Sequence, residues 1–381
     1  MKIWYITRSY FPDNSGGAQL RAAQVSNLRN NGFDVEVISP KYERFSADDS
    51  NNKNISITNL QLRIGSFLQR FGVYDDYLDI WVKEILISIM PKIKKNDIIF
   101  ATSGGELACV KIGSIIKSHF KESKFIVNFH DPVDYSLVNG LVIDDKLFKN
   151  RDNAEYKYIS NADVIFTSSI SNKNSLKNKY PLIREKILYS YFGYLSEAPL
   201  SNHRYENKLN IIYGGTFTET QKVEILAECL SSSSSCNVKF IGNHRAYRPL
   251  DIYRNKFEFI DTIPYRDYLQ IGSNWADVGF VSLSKDYFGA CIPSKIYEYI
   301  NLGLPIIGCL PEGDALNIIN DNKFGMAVKF NDLEGLSMVV NQLNKNPDIL
   351  NEFKRNILKE RHKWKFDYRF LEIVNWIRDA Y

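Results

Sequence analysis

Asp286-Tyr-Phe-Gly-Ala-Cys-Ile-Pro-Ser-Lys-Ile-Tyr-Glu-Tyr-Ile-Asn-Leu-Gly303, followed by Leu304-Pro-Ile-Ile-Gly-Cys309, reads as a loop, a helix and a strand. Pro293 and Ser294 open the helix and Gly303 stops it, the usual asymmetry of helix ends. Residues 304–309 form the short apolar run expected of a strand buried on both faces. Lys295 falls in the first helical turn, where its charge opposes the helix dipole. The free N–H groups of that turn attract anions, so the placement makes sense if a phosphate docks there. Glu298 lies one turn on and shares the helix face with Lys295. Together they can hold a nucleotide diphosphate and its ribose. The alternative is an ordinary surface ion pair between positions i and i+3.

Working outward, the same strand–loop–helix alternation fills the chain. Toward the N-terminus of this half, strands are expected over 209–213, 237–242 and 257–260, with a further strand over 275–282 leading into the opening stretch. Gly214 and Gly215 begin a loop that carries Thr216 and Lys222 into a helix ending near 230, and Arg245 follows the strand at 237–242. Beyond the opening stretch come a helix at 314–319, a strand at 325–328 and long amphipathic helices from 333. The first half starts with a strand at 3–6, a loop containing Gly16 and Gly17, a helix at 18–30 and a strand at 34–39, which is a βαβ unit. Residues 50–59 read as a loop or a weak edge hairpin. A helix follows near 77–90, then a strand at 97–101, a turn at 102–105 and a helix to about 119. Strands at 125–129, 162–168 and 187–191, with a helix at 153–160, complete the half.

These patterns predict two Rossmann-like, doubly wound α/β domains facing across a cleft. The boundaries fall at 1–195 for the first and 208–365 for the second, with a polar linker over 193–207. A C-terminal helix at 366–381 is expected to pack back on the first domain. A length of 381 residues agrees with two cores.

Composition narrows the function classes. Hydrophobic residues make 44% and charged residues 24%, as in soluble globular proteins, and the net charge of +4 is too mild to argue for nucleic acid. The five cysteines are scattered, with no CxxC pair and no Cys/His cluster, so neither a disulfide framework nor a zinc site is indicated. Reduced thiols point to the cytoplasm. No metal and no cofactor are expected.

The block at 293–307, Pro-Ser-Lys-Ile-Tyr-Glu-Tyr-Ile-Asn-Leu-Gly-Leu-Pro-Ile-Ile, resembles the donor motif of GT-B glycosyltransferases, family 4 in particular, commonly PSKxxEYxAxGxPVI. The order of the other landmarks agrees along nearly the whole chain. The resemblance implies a GT-B fold and transfer of a sugar, with retention, from a nucleotide-diphosphate donor, a UDP-sugar first of all. It gives Glu298 the ribose hydroxyls and places Ser294 and Lys295 beside the diphosphate. Phe288 and Gly289, with Asp286, resemble the loop that holds the donor sugar. Gly215, Thr216 and Lys222 are expected near the phosphates, and Arg245 where the nucleotide enters. His130 and Asp131, at a strand's carboxyl end, are the candidate catalytic residues, His130 lying against the donor sugar. Two departures stand out. Ala290, not an acid, precedes Glu298 by eight positions, and Gly215-Thr-Phe-Thr218 stands where an arginine is common.

Other readings stay open. Gly16 and Gly17 either make a tight turn or bring backbone N–H groups to a ligand's phosphates, and His130 is either chemical or a buried structural histidine. The rival activity is a nucleotide-sugar 2-epimerase of the same architecture, and the rival without chemistry is a sugar-nucleotide-binding subunit. The acceptor is a sugar or a lipid-linked oligosaccharide, as in bacterial surface polysaccharide synthesis. Residues 62–95 mix Arg63, Arg70, Lys92, Lys94 and Lys95 with Phe67, Phe71, Trp81 and Ile85. That mixture suits either a peripheral contact with the inner membrane face or a core-facing helix with solvated lysines.

Overall fold

The computed structural model describes residues 1–380 apart from 14, 43–54, 134–144, 204 and 232–235, and at 55, 145–149, 286 and 287 the backbone alone. Most of the serine run at 231–235 and half of the segment at 50–59 therefore lie outside the described residues. The chain divides into two compact units, Met1–Tyr191 with Phe370–Tyr381, and Phe192–Arg369.

In the first unit the strands are β1 (Ile3–Ile6), β2 (Val35–Ile38), β3 (Pro40–Tyr42), β4 (Ile55–Ile57), β5 (Ile98–Gly104), β6 (Lys124–Asp131), β7 (Val164–Thr167) and β8 (Ile187–Tyr189). Six of them form a parallel sheet in the order β2-β1-β5-β6-β7-β8, and β3 and β4 make a small parallel pair. Parallel strands need helices on both faces, so their sequences are apolar on both sides. All four residues of β1 are buried, as are the first six of β5. β5 runs past the expected 101 because Thr102, Ser103 and Gly104 continue the ladder against Asn128, Phe129 and Asp131 of β6. His130 and Asp131 are thus the last residues of an interior strand, at the carboxyl end of the sheet where open α/β sheets bind ligands.

Three helices were not expected from the sequence. Asn59–Arg70 buries only Gly65, and Ile170–Lys179 buries only Asn172 and Leu176. In Tyr265–Trp275 the buried positions are Tyr268, Leu269, Gly272 and Ser273, mostly small or aromatic and not an aliphatic stripe. The surface expected over 62–95 separates into two populations. Trp81 and Ile85 are core residues at 1% exposure, whereas Phe67 and Phe71 face solvent.

The second unit holds β9 (Leu209–Gly214), β10 (Cys236–Ile241), β11 (Glu258–Ile260), β12 (Val278–Ser282), β13 (Ile306–Leu310) and β14 (Gly325–Lys329), in the parallel order β11-β10-β9-β12-β13-β14. The strand order reverses between β9 and β12, whose ladder has only two residue pairs, Val278 with Ile211 and Gly279 with Ile212. Tyr299, from the helix Ser294–Leu302, enters there. Its hydroxyl donates toward the Phe280 carbonyl at 2.9 Å and lies 3.2 Å from that of Ile212. Gly279 makes the room, since a Cβ there would sit 2.4 Å from the tyrosine ring.

Residues expected to link the domains are tied into the second unit. Tyr194 N–H donates to the Trp364 carbonyl at 3.0 Å and its carbonyl accepts from the Phe366 N–H at 2.9 Å, Ala198 N–H donates to Asn301 Oδ1 at 3.1 Å, and Ser201 N–H donates to the Leu302 carbonyl at 2.8 Å. The last helix, Phe366–Asp379, passes from the second unit into the first at residue 370.

Candidate functional site

At the carboxyl ends of β9, β10 and β11 the second unit encloses a cavity of about 600 Å³. Its walls come from three loops and two helices: Gly214–Thr218 after β9, Gly242, Asn243 and Ala246 after β10, Thr262 and Ile263 after β11, Tyr265 and Tyr268 from Tyr265–Trp275, and Ser294, Lys295 and Glu298 from Ser294–Leu302. A pocket of this size at a strand-order reversal is where a Rossmann-type sheet takes its ligand.

Two glycines set the pocket's floor. Gly215 has φ +131° and Gly242 φ +139°, both in the region closed to most side chains. A Cβ on Gly242 would lie 2.2 Å from the Gly215 carbonyl, so the two loops pack backbone on backbone. A Cβ on Gly215 would come within 2.8 Å of Lys295 Nζ. The lysine therefore lies along a bare stretch of main chain. Its Nζ sits 4.8 Å from the Tyr213 ring centre, an added attraction for a cation, and the Tyr213 hydroxyl donates to the Thr216 carbonyl.

Lys295 is 9% exposed, and no carboxylate of the described residues lies within ion-pair distance of its Nζ. Burial pulls its pKa down, with Glu298 pulling it back up. Burial pushes the partly buried Glu298 above the usual carboxylate range, and Lys295 opposes that. The helix they share has no side-chain cap and no acid in its first turn. A desolvated ammonium, uncapped N–H groups and a carboxylate one turn on thus line one cavity. That set is chemically suited to a group bearing both negative charge and hydroxyls.

Of the residues expected from sequence, Gly215, Thr216, Ser294, Lys295 and Glu298 meet in this cavity. Lys222 does not line it: with φ +42° its chain turns away, and Nζ reaches Asn331 Oδ1 at 3.2 Å and the Phe330 ring at 5.1 Å. Arg245, 75% exposed, pairs with Asp261 at 2.5 Å. Phe288 is buried, and Gly289 packs against the Glu312 carbonyl, where a Cβ would stand 2.2 Å away. The side chain of Asp286 lies outside the described residues. Sequence reasoning missed Gly242, Asn243, Thr262, Ile263, Tyr265 and Tyr268. Gly242 alone carried a usable signal, a glycine closing an apolar strand.

In the first unit the other expected residues lie near a buried ionic cluster. Glu106, wholly buried, faces Arg8 Nε at 3.2 Å and Arg21 at 3.8 Å, and accepts from the Gly104 N–H at 2.9 Å. Arg21, 2% exposed, also donates to Ser9 Oγ at 2.7 Å and Thr102 Oγ1 at 3.3 Å. Gly17 makes room for it, a Cβ there lying 3.0 Å from the guanidinium, while nothing lies within 4 Å of a Cβ on Gly16. Arg8, Arg21 and Gly17 line a pocket of about 690 Å³ together with Ser9, Asp13 and Tyr77. His130 is buried and its carbonyl accepts from Ser168 at 2.6 Å. Desolvation, reinforced by Arg21 and Arg8, holds it well below the usual histidine pKa, so the ring is neutral at neutral pH.

No protein-family profile and no curated protein matches the chain by sequence. Solved structures do match it. The chain is similar to the lipopolysaccharide outer core galactosyltransferase WaaB over 100% of both chains, with a TM-score of 0.70 at 11% identity. Anabaena HepE in complex with UDP gives the same values. The sucrose-phosphate synthase of Thermosynechococcus elongatus matches over 99% of this chain and 98% of its own, with a TM-score of 0.71 at 13% identity. At such identities the likeness speaks to architecture. The chain has the GT-B glycosyltransferase fold, two Rossmann-like domains.

Proposed function

We propose that this protein is a glycosyltransferase that moves a sugar from a nucleotide-diphosphate donor to an acceptor hydroxyl. The observation that carries the reading is Lys295, a desolvated cation in a helix's first turn with no carboxylate of the described residues at ion-pair distance, lining a cavity with Glu298. Solved structures of the same fold include a galactosyltransferase and proteins crystallised with UDP or UDP-glucose, which supports the donor class.

In this reading the diphosphate lies against Lys295, Ser294 and the N–H groups of the helix start. As the glycosidic bond breaks, charge builds on the leaving phosphate, and fixed donors stabilise it without reorganising. Glu298 accepts from the ribose hydroxyls. The glycines at 215 and 242 let the diphosphate approach the main chain. In the first unit the resemblance assigns His130 to the transferred sugar, and Asp131 beside it at the strand end is the other candidate catalytic residue. A neutral His130 can hydrogen-bond a sugar hydroxyl without adding charge. Retention of the anomeric configuration, a UDP-sugar donor and a role in bacterial surface polysaccharide synthesis with a lipid-linked acceptor complete the proposal.

Thermal melting with UDP-, GDP-, CMP- and dTDP-sugars tests it. A donor at a hundred times its Kd should stabilise the protein by about 2.7 kcal/mol. Glu298→Gln should weaken that donor about tenfold, because its ribose hydroxyls lose a charged acceptor. Donor binding should also weaken as the pH falls toward the raised pKa of Glu298, since only the carboxylate accepts from both hydroxyls. Absence of any shift with all four donors would overturn the reading, and an inverted product anomer by NMR would remove retention from it.

A further inference from the structure

The helix Asn59–Arg70 of the first unit shows large apolar side chains to solvent. Its inner side is set by Gly65, where a Cβ would meet the Tyr77 carbonyl at 1.9 Å, and by the partly buried Leu62 and Leu68. On the other side, Leu60, Ile64, Phe67 and Phe71 follow at i, i+4, i+7 and i+11, a single stripe along the helix axis. They are between 42% and 66% exposed, and Val73 just beyond is 66% exposed. Phe67 and Phe71 contact each other with ring centres 4.6 Å apart. The helix is fixed independently of any partner, since Thr58 and Gln61 form a reciprocal cap at its start.

Charge says what covers the stripe. The helix contains no acid, and its two charged residues, Arg63 and Arg70, both exposed, fall on one flank of the stripe. The next acids in the chain are turned elsewhere, Asp75 to Lys111 at 3.1 Å and Asp76 to Arg151 at 3.5 Å. Single exposed apolar residues need no explanation, but four in line with a one-sided basic border match an interfacial helix. Among the described residues no helix is long and apolar enough to cross a membrane, so the contact is a surface one.

We infer that this stripe seats the first unit on an anionic bilayer. Phe67 and Phe71 enter the boundary between headgroups and acyl chains, and Arg63 and Arg70 pair with lipid phosphates. The inference deepens the proposed function, because a lipid-linked acceptor is presented at such a surface, but its test does not depend on transfer.

The full chain is sedimented with vesicles of phosphatidylcholine alone and of phosphatidylcholine with phosphatidylglycerol. Binding is expected to the second and not the first, and to fall with salt. Phe67→Gln with Phe71→Gln should weaken it about tenfold or more, with melting temperature and nucleotide-induced shift unchanged because both side chains are exposed. Arg63→Gln with Arg70→Gln should remove most of the salt dependence. No binding by the natural chain, or equal binding by the phenylalanine double variant, would overturn the inference. So would a dimer in lipid-free solution that the same double variant dissolves, which would make the stripe an interface between copies. Vesicle binding and nucleotide shift are read separately, so failure of one leaves the other standing.

Discussion

Each unit buries a cation beside a glycine-containing loop and a helix start, and the two treat it differently. Arg21 in the first unit has Glu106 near it and Ser9 and Thr102 as acceptors. Lys295 in the second has an aromatic ring, a bare glycine and, among the described residues, no carboxylate at ion-pair distance. A buried charge without a partner is unfavourable, and one with a partner holds its surroundings in place. The difference teaches that Arg21 belongs to the scaffold of its pocket, and it is the ground on which Lys295 is proposed to serve an anion that comes and goes.

The largest expected effect tests the scaffold half of that contrast. Glu106→Gln leaves two guanidiniums facing each other without their carboxylate and should destabilise the first unit by about 3–5 kcal/mol, read as a lower denaturant midpoint. A loss too small to measure would show that Arg21 is no more internally satisfied than Lys295, and the contrast would fail.

Lys295→Met comes next and should move two readouts in opposite directions. Nucleotide affinity should drop about a hundredfold with the loss of a charge-assisted contact, while the ligand-free protein melts a few degrees higher, roughly 2–4 °C per kcal/mol for a domain of this size. The pH dependence sharpens it. A lysine whose pKa is lowered by folding binds fewer protons folded than unfolded between its two pKa values, so stability rises with pH there. The advantage of the methionine variant should therefore shrink as the pH climbs through the depressed pKa toward 10.5. A melting temperature that falls on substitution would give Lys295 a structural role like that of Arg21.

The smallest effect is expected at Arg245, whose exposed pair with Asp261 is worth roughly 0–1 kcal/mol. Arg245→Ala should leave both stability and nucleotide affinity nearly unchanged. A clear loss of affinity would return this residue to the nucleotide's entrance.

What could be read from the sequence follows from the range over which each signal acts. Apolar runs such as Ile3–Ile6 and Ile306–Leu310 declare buried parallel strands locally, and the alternation of strands with helices led to two doubly wound domains. Lys295 and Glu298 were legible because a helix start, a cation in its first turn and an acid one turn on are neighbours in the chain. The Glu106 cluster was not, because Arg8 and Arg21 lie some hundred residues before their carboxylate. Lys222 shows a different failure. Its position after the glycine loop suggested a phosphate contact, but the backbone at that residue is left-handed and the side chain reaches Asn331. The helix Asn59–Arg70 was missed although its capping box and its stripe at 60, 64, 67 and 71 both stand in the sequence; the stripe faces solvent and not the core.

The tyrosine at the parting of β9 and β12 bears on how the second unit meets a ligand. Tyr299 is on the same helix as Lys295 and Glu298, and its hydroxyl is held between carbonyls of both strands. The helix is thereby riveted to the sheet at the seam where the ladder ends. Any rocking of the helix would have to spring that rivet and leave two carbonyls bare. If the cavity seats an anion as proposed, that seat is built like a fixed jaw, its gauge set before anything is placed in it. Selection among nucleotides would then fall to the loops after β10 and β11, for which no such fastening to the helix is found among the described residues.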